Sequence, residues 1–548
     1  MLHNIVKNTA SYLKISFSVM RYGLLSFIMV SCPKMARLFA FIDVIYPRWV
    51  FMEHEEVLYS AFKARDRRFD GRFFVGVSST GIYCRPICWT RMPRLTNCTF
   101  FTSAAEAEKE GYRPCLLCRP ELAPGNAPLY AKQTLARKAA RLLEEHCGHG
   151  ESLDRLAERL GCTDRHLRRV FMEEYQVTPV QYLQTCRLLL AKNLLTDTEM
   201  SILQVAMAAG FGSQRRMNDL FQKRYRLSPT SLRKHASEGK CGKGLIKVEL
   251  GYRPPYCWGD ILEFLANRAV EGIEKIENGT YCRTVHLRDR AGKSCVGWMT
   301  VARHPKRASL VVSMNDALIP VLSQVLSRTR HLFDLHCDPD AVHEVLQSIN
   351  ELQPGIYVKG RRIPGCFDHF EMAVRAILYQ QTTIKEANTL AGRLAKYMGM
   401  PVETGIAGLS HAFPTAKNMV ALGSTIRERL GSIGIAANYS QCLLDFAQAL
   451  ERGEILIGHE ADPLEEIKRL QNIRNISGWT ARYIAMRVMG WPDVFLEDDA
   501  EIHHALSDYT PMDILKLSER WRPWRSYAVI NLWQWSRRHT AHNDITSR

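Results

Sequence analysis

Between residues 129 and 235, apolar side chains return every three or four positions, a period that predicts a run of helices. The same device occurs twice within it. Ser152–Gly161 (SLDRLAERLG) reads as an amphipathic helix with Ser at its N-cap and Gly at its end, and Thr163–Phe171 (TDRHLRRVF) opens a second helix after a short turn. Ser201–Gly210 (SILQVAMAAG) leads through Phe211 and Gly212 into Ser213–Phe221 (SQRRMNDLF) in the same way. A helix, a glycine-bearing turn, and a helix that begins in polar and basic residues is the helix-turn-helix pattern, whose second helix enters a major groove N-terminus first. Arg165, His166, Arg168, Arg169, Gln214, Arg215 and Arg216 are the groove candidates. A bundle with solvated arginine faces is the bland alternative, common for one such motif and hard to sustain for two in tandem.

The flanking segments read differently. Residues 1–51 are apolar and carry one acid, Asp43, against Lys7, Lys14, Arg21, Lys34, Arg37 and Arg48. The run Tyr22–Cys32 is too short to span a bilayer, which needs about 20 apolar residues. The expectation is a poorly structured or mis-assigned extension ahead of Met52, with a membrane anchor as the weaker alternative. Ser237–Leu245 (SEGKCGKGL) reads as a linker. Strand-like runs follow at Thr284–Leu287 and Ser309–Ser313, predicting a small α+β domain, and from Gly365 the pattern is helical to the end.

Composition changes the picture in two ways. A chain of 548 residues exceeds one hydrophobic core, so several domains are expected. The net charge of +17 points to a polyanionic partner, and residues 121–240 contribute 19 Lys/Arg against 13 Asp/Glu. With 46% hydrophobic and 24% charged residues, general disorder and a polytopic membrane protein are excluded. Sixteen cysteines are too few for a disulfide scaffold, and most lie singly in apolar stretches, as reduced thiols of a cytoplasmic protein would.

Four cysteines are different. Cys84-Arg-Pro-Ile-Cys88 and Cys115-Leu-Leu-Cys118 are two short-spaced pairs separated by a loop, the arrangement a tetrahedral Zn2+ site requires. Cys98, between them, reads as a buried apolar residue. Taken alone the quartet suits an inert zinc ribbon. The segment Phe73–Glu121, however, resembles the N-terminal domain of the Ada-type alkylation-response proteins. The resemblance implies that Cys84 is a zinc ligand and also the acceptor of a methyl group from a methylated DNA phosphate. It also implies that Arg91 and Arg113 hold that phosphate, with ordinary solvated charges as the alternative, and that Thr80, Gly81 and Tyr83 supply a turn and core support. The tandem helix-turn-helix stretch, with Phe171…Pro179 and Phe221…Pro229 closing its units, resembles the AraC-type DNA-binding domain over about 128–236.

Farther on, Pro254-Pro-Tyr-Cys-Trp258, Ile363–Glu371 (IPGCFDHFE), Arg375–Gln381 (RAILYQQ), Ser477–Tyr483 (SGWTARY), Val494–Asp499 (VFLEDD) and Arg520–Ala528 (RWRPWRSYA) resemble the AlkA-type 3-methyladenine DNA glycosylases of the helix-hairpin-helix superfamily. The resemblance implies that Asp499 is the catalytic carboxylate and Asp498 its non-catalytic neighbour; an Asp-Asp pair by itself would read as a helix N-cap. It implies that Trp479, Tyr483, Trp533 and Phe264 line the base pocket, since π faces attract a cationic alkylated base. Lyase-competent relatives carry a lysine in the place of Trp479, so no strand cleavage is expected. No cysteine follows Cys442, so no iron–sulfur cluster is expected either. Two departures stand out. The hairpin glycines that grip a phosphate are replaced by Asn475 and Ser477 ahead of Gly478, with Ser less suited than Asn to positive φ. Gln381 stands where some members place an apolar wedge.

The expected fold is therefore multidomain: a small zinc-bound α+β domain, an all-α tandem helix-turn-helix domain, and an α+β subdomain followed by an all-α helix-hairpin-helix glycosylase. The expected boundaries are 1–51 extension, 52–124 zinc domain, 128–236 AraC-type domain, 237–246 linker, 247–350 α+β domain, 351–540 glycosylase domain and 541–548 tail. The implied function joins a methylphosphotriester sensor, a sequence-specific transcription activator and a monofunctional glycosylase for alkylated bases such as 3-methyladenine. The Pro-Cys-His-Arg motif of a guanine-O6 methyltransferase is absent. Double-stranded DNA is the expected partner, with RNA polymerase a further one for an activator, and no membrane. The alternative is a regulator whose glycosylase-like half binds damaged DNA without catalysis.

Overall fold

The computed structural model describes residues 55–124, 135–148, 152–234, 245–289, 291–380 and 382–546. The 1–51 extension, nearly all of the 237–246 linker and Gln381 lie outside them.

Helix α1 (Glu55–Lys63) precedes a four-stranded sheet of β1 (Phe74–Val77), β2 (Ile82–Cys84), β3 (Cys98–Phe101) and β4 (Arg113–Pro114), in the order β3-β1-β2-β4. A short helix, α2 (Ala104–Lys109), packs on it and buries Ala105 and Ala107. Strands β2 and β4 run parallel, with Ile82 opposite Arg113 and Tyr83 opposite Pro114. That register carries Cys84, the last residue of β2, and Cys115, just beyond β4, to one end of the sheet.

The helical run follows as α3 (Leu135–Glu145), α4 (Leu153–Arg159), α5 (Asp164–Tyr175), α6 (Pro179–Asp197), α7 (Ile202–Ala208), α8 (Gln214–Tyr225) and α9 (Pro229–Lys234). The anticipated cap is in place at Ser152, and Thr163, Ser201 and Ser213 act alike, each accepting a backbone N–H from the first turn of its helix. The two units differ in what holds them. Leu156, Leu167, Phe171 and Tyr175 pack in a separate cluster with Leu142 and Leu143 of α3 and Ala105 of α2, whereas Met217, Phe221 and Tyr225 join the main core that continues into the second half of the chain.

That half opens with β5 (Leu245–Gly251) and α10 (Trp258–Ala266), then β6 (Glu274–Glu277), β7 (Thr280–Arg288), β8 (Ser294–Arg303) and β9 (Ser309–Asn315). These strands make one antiparallel sheet in the order β5-β9-β8-β7-β6. Helices α11 (Leu322–Leu332) and α12 (Pro339–Leu346) lead into α13 (His369–Tyr379) and α14 (Ile384–Met398). The stretch read as helical to the end is interrupted here: Met400–Pro401 and His411–Ala412 pair as a small ribbon. Gly405 and Gly408 take positive φ in its loop, and Thr284 on β7 donates to the His411 carbonyl at 2.8 Å. Glycine turns and an available sheet neighbour favour extended backbone over helix in this segment. The chain then continues through α15 (Ala416–Val420), α16 (Ile426–Gly431), α17 (Ala437–Glu451), α18 (Pro463–Gln471), α19 (Gly478–Arg487), α20 (Ala500–Ala505), α21 (Pro511–Glu519) and α22 (Arg525–Thr546). None of the described helices is long and apolar enough to cross a membrane.

Buried charges tie the parts together. Lys192 on α6 meets Glu121 at 2.5 Å, and Arg119 reaches Asp197 at 2.8 Å. The buried Arg253 donates to the carbonyls of Asp70, Pro124 and His336. Lys138 on α3 donates to the Ala461 carbonyl at 2.9 Å. Each satisfies a polar group that would otherwise be costly to bury.

Candidate functional site

The four predicted zinc ligands converge. The sulfurs of Cys84, Cys88, Cys115 and Cys118 lie within 4.8 Å of one another, three of the residues being buried. The backbone N–H of Arg85 donates to the Cys118 sulfur at 3.3 Å, a contact that suits a thiolate. The Arg85 side chain is held on Asp70 and donates to the Cys118 carbonyl at 3.1 Å, fixing the loop that carries Cys84. Four clustered sulfurs with no carboxylate or imidazole among them are the donor set that zinc takes at a closed site. Cys98 is outside the quartet and only half-buried, its thiol facing the Arg94 carbonyl at 3.4 Å. Arg91 is exposed, and Arg113 is half-buried on β4. Trp89, next to Cys88, is 75% exposed with the Arg65 guanidinium 4.3 Å over its ring.

Behind the quartet lies a contact absent from the sequence reading. The Glu108 carboxylate accepts hydrogen bonds from Tyr83 (3.2 Å), Thr185 (3.0 Å) and Tyr225 (2.9 Å), and Arg224 donates to its backbone carbonyl at 2.7 Å. Burial pushes the Glu108 carboxyl up to about 7 against these three donors. One buried acid thus joins the residue before Cys84 to the last residue of α8.

The groove candidates stand on the second helix of each unit. Arg165, His166, Arg168 and Arg169 are exposed on α5, as are Ser213, Gln214, Arg215 and Arg216 at the start of α8. Within α5, Arg168 pairs with Asp164 at 2.7 Å and Arg169 donates to His166 Nδ1 at 3.2 Å. The first two turns of α8 carry no such internal ion pair among the described contacts.

In the last domain, Asp499 and the predicted aromatics meet. Trp479 Nε1 donates to Asp499 Oδ2 at 3.0 Å, and Trp533 Nε1 donates to Oδ1 at 2.8 Å. The same carboxylate caps α20, accepting the N–H groups of Glu501 (3.0 Å) and Ile502 (3.2 Å). Capping a helix and meeting the aromatic side chains are therefore not alternatives at this position. Asp499 is 8% exposed, whereas Asp498 faces solvent. Trp479 stacks on Tyr483 with centroids 4.9 Å apart, and Phe264 stacks on Trp533 at 6.4 Å.

Two arginines at this site escaped the sequence reading. Arg487 donates to the Tyr483 hydroxyl at 2.6 Å and to the Gly365 carbonyl at 2.9 Å, and its guanidinium lies 4.9 Å over Phe264. Arg268 covers Phe264 more closely, at 3.8 Å, with burial lowering its pKa to about 10. The Phe264 ring is thus a seat for arginine as much as a wall for a base. The available signal was spacing: Arg487 follows Tyr483 by four residues, one helical turn.

The hairpin between α18 and α19 corrects one expectation. Asn475 adopts φ +68°, but Ser477 is extended at φ −74° and caps α19 by accepting the Thr480 N–H. Of the two former glycine places only the first needs a left-handed backbone, and Asn tolerates it. Gln380 braces the turn, donating to the Asn475 carbonyl at 3.1 Å and accepting the Ser477 N–H at 2.8 Å.

The family model for the metal-binding domain of Ada matches residues 57–121, that for a helix-turn-helix domain 156–235, and that for the AlkA N-terminal domain 247–368. The chain is 32% identical over 487 residues to the probable bifunctional transcriptional activator/DNA repair enzyme AlkA of Mycobacterium tuberculosis (strain H37Rv), covering 87% of this chain and 96% of that protein. It is 33% identical over 286 residues to DNA-3-methyladenine glycosylase 2 of Escherichia coli (strain K12), covering 52% and 95%. To the bifunctional transcriptional activator/DNA repair enzyme Ada of the same organism it is 35% identical over 148 residues, covering 27% and 40%.

Proposed function

The chain belongs to the family of bifunctional transcriptional activator/DNA repair enzymes of the AlkA type, and from that premise we propose that it senses methylated DNA through Cys84, activates transcription, and excises alkylated bases through Asp499. The partition at 52–124, 128–236, 247–350 and 351–540 assigns one task to each of the first two parts and the third to the last two together.

Cys84, Cys88, Cys115 and Cys118 would hold zinc, which would supply the positive charge that keeps them as thiolates at neutral pH. The Cys84 sulfur attacks the methyl carbon of a DNA methylphosphotriester. The S–C bond forms as the C–O bond breaks, and the departing oxygen keeps the electron pair as a phosphodiester anion. The cysteine becomes a thioether and the centre loses one negative charge, so its repulsion from the DNA backbone falls. Arg91 and Arg113 attract the phosphate. The groove residues of α5 and α8 then read a promoter, and RNA polymerase is the partner that activation requires.

In the glycosylase half an alkylated nucleotide is flipped from the stack, and its cationic base is a good leaving group. As the glycosidic bond breaks, the electron pair leaves with the base and positive charge develops on the sugar. The Asp499 carboxylate stabilises that charge until water adds to the sugar carbon and gives up a proton to the surrounding solvent. Trp479 and Trp533 hold Asp499 in place, and Trp479 has no amine to form a Schiff base, so the product is an abasic site with the strand intact. Asn475, Ser477 and Gly478 present backbone to a phosphate.

The observation that carries the enzymatic reading is one carboxylate gripped by two indole N–H groups within an aromatic cluster. The non-catalytic alternative drew on the missing hairpin glycines, and the left-handed Asn475 weakens that motive. The test is release of 3-methyladenine from methylated duplex DNA by the full chain. Release by wild type and loss in Asp499→Asn supports excision, whereas binding without release by wild type leaves the regulator reading.

A further inference from the structure

Four side chains that take no part in either site converge between α11 and the helical domain. His331 is the penultimate residue of α11, Cys366 lies in the loop before α13, His369 opens α13, and His459 precedes α18. The Cys366 sulfur and one nitrogen each of His331 and His369 lie within 4.8 Å of one another, with the cysteine buried and both histidines half-buried. The three imidazoles are mutually near-perpendicular. His331 and His369 are 6.0 Å apart at 88°, His331 and His459 5.3 Å at 86°, and His369 and His459 6.1 Å at 82°.

Ordinary core packing does not account for this set. His459 Nδ1 is buried with no hydrogen-bond partner, a loss that native interiors avoid. His331 donates its Nε2 hydrogen to the Arg487 carbonyl at 3.2 Å, because a carbonyl can only accept. A backbone carbonyl on one ring nitrogen is the outer contact that fixes the tautomer of a metal-bound imidazole. Thiolate and imidazole donors together select zinc and similarly borderline divalent ions over magnesium or calcium.

The geometry points to a second metal site in this chain, formed by Cys366, His331 and His369 with His459 as fourth ligand, that takes zinc(II). Metal–ligand bonds of about 2.0–2.3 Å place tetrahedral donors roughly 3.3–3.8 Å apart, a small inward movement for Cys366, His331 and His369, while His459, with its ring centre 5.3 Å from that of His331, moves in farther to join them. Four arginines lie around the cluster. Arg328 is paired with Asp368 at 3.1 Å, and Arg487 spends its guanidinium on Tyr483 and the carbonyls of Pro364 and Gly365. Arg141 and Arg330 share a cavity with His331 and His459 that also holds Glu144 and Asp334. A Cys366 thiolate adds a further negative charge against the ion. So placed, the ion ties the α+β subdomain to the helical domain. It also steadies the Arg487 backbone, whose side chain holds Tyr483 of the aromatic cluster.

The test uses the full chain loaded with zinc(II), freed of excess metal, and analysed for zinc content and by zinc X-ray absorption. Two zinc ions per chain and a shell containing imidazole nitrogen as well as sulfur are expected. One ion per chain, or an all-sulfur shell, overturns the site without recourse to any variant. His369→Ala and His459→Gln locate it: each is expected to lower the content toward one ion while the all-sulfur signature of the quartet persists. Two ions retained in both variants place the second ion elsewhere and overturn the assignment.

Discussion

The Tyr225 hydroxyl, at the last turn of the second recognition helix, donates to the Glu108 carboxylate at 2.9 Å, and Glu108 belongs to the zinc-bearing part of the chain. Through the same carboxylate Tyr83, the neighbour of Cys84, is joined to that helix. The position of α8 is thus set partly from outside its own domain.

The titration of Glu108 makes this junction sensitive to pH. A carboxyl raised from 4.5 to about 7 in the folded state binds its proton more tightly there than in the unfolded chain. Its contribution is complete below pH 4.5 and is lost as pH rises through about 7, by up to about 3 kcal/mol. Glu108→Gln is expected to flatten that dependence, read as hydrogen exchange of α2 and α8 amides at pH 6 against pH 8. An unchanged pH response in the variant assigns the effect to another group.

Asp499→Asn separates the two duties of that residue. Asn caps a helix about as well as Asp, but its amide nitrogen cannot accept the second indole N–H, so thermal stability is expected to fall by about 1–3 kcal/mol while the fold is kept. Loss of the charge facing the sugar is expected to lower excision at least about 100-fold. A variant with near wild-type release transfers the catalytic role to another group.

Cys84→Ala is expected to abolish methyl transfer from methylated DNA, measured as a single methyl adduct by mass spectrometry of the intact chain. In the wild type the adduct is expected on the Cys84 peptide and not on Cys98, whose thiol stands outside the quartet. An adduct on Cys98 alone contradicts the proposed acceptor.

At the hairpin, Asn475→Gly keeps the left-handed backbone at no steric cost, so stability and binding to an abasic duplex are expected to stay close to wild type. Asn475→Val is expected to cost about 1–2 kcal/mol and to weaken that binding, because a β-branched residue resists positive φ. Equal behaviour of the two variants removes the turn from the DNA grip.

Arg215→Ala and Arg216→Ala remove charge at the N-terminus of α8. Where either contacts a phosphate, the slope of log affinity against log salt is expected to fall by about one, with the loss spread evenly over sequences. A loss confined to particular base pairs identifies a base contact instead.

Much was readable along the chain because its causes are local. Caps at Ser152, Thr163, Ser201 and Ser213 need one side chain and a backbone three residues on, and the cysteine pairs sit at ligand spacing. Asn475 and Ser477 were visible as departures, yet which of them bears positive φ depends on how the turn closes against Gln380. The ribbon at Met400–Ala412 depends on a strand more than a hundred residues earlier offering a partner.

The sequence by itself determined the helix-turn-helix repeats, the zinc quartet, the basic charge and the aromatic and acidic residues of the last domain, since period, spacing and residue type are properties of neighbours along the chain. Tertiary structure alone decided that Glu108 meets Tyr225, that two tryptophans from different helices share Asp499, that Arg268 and Arg487 sit over Phe264, and that His331 and His369 approach Cys366. Those groups are separated by tens to hundreds of residues, and what brings them together is the burial of one shared core and the need of each buried polar group for a partner.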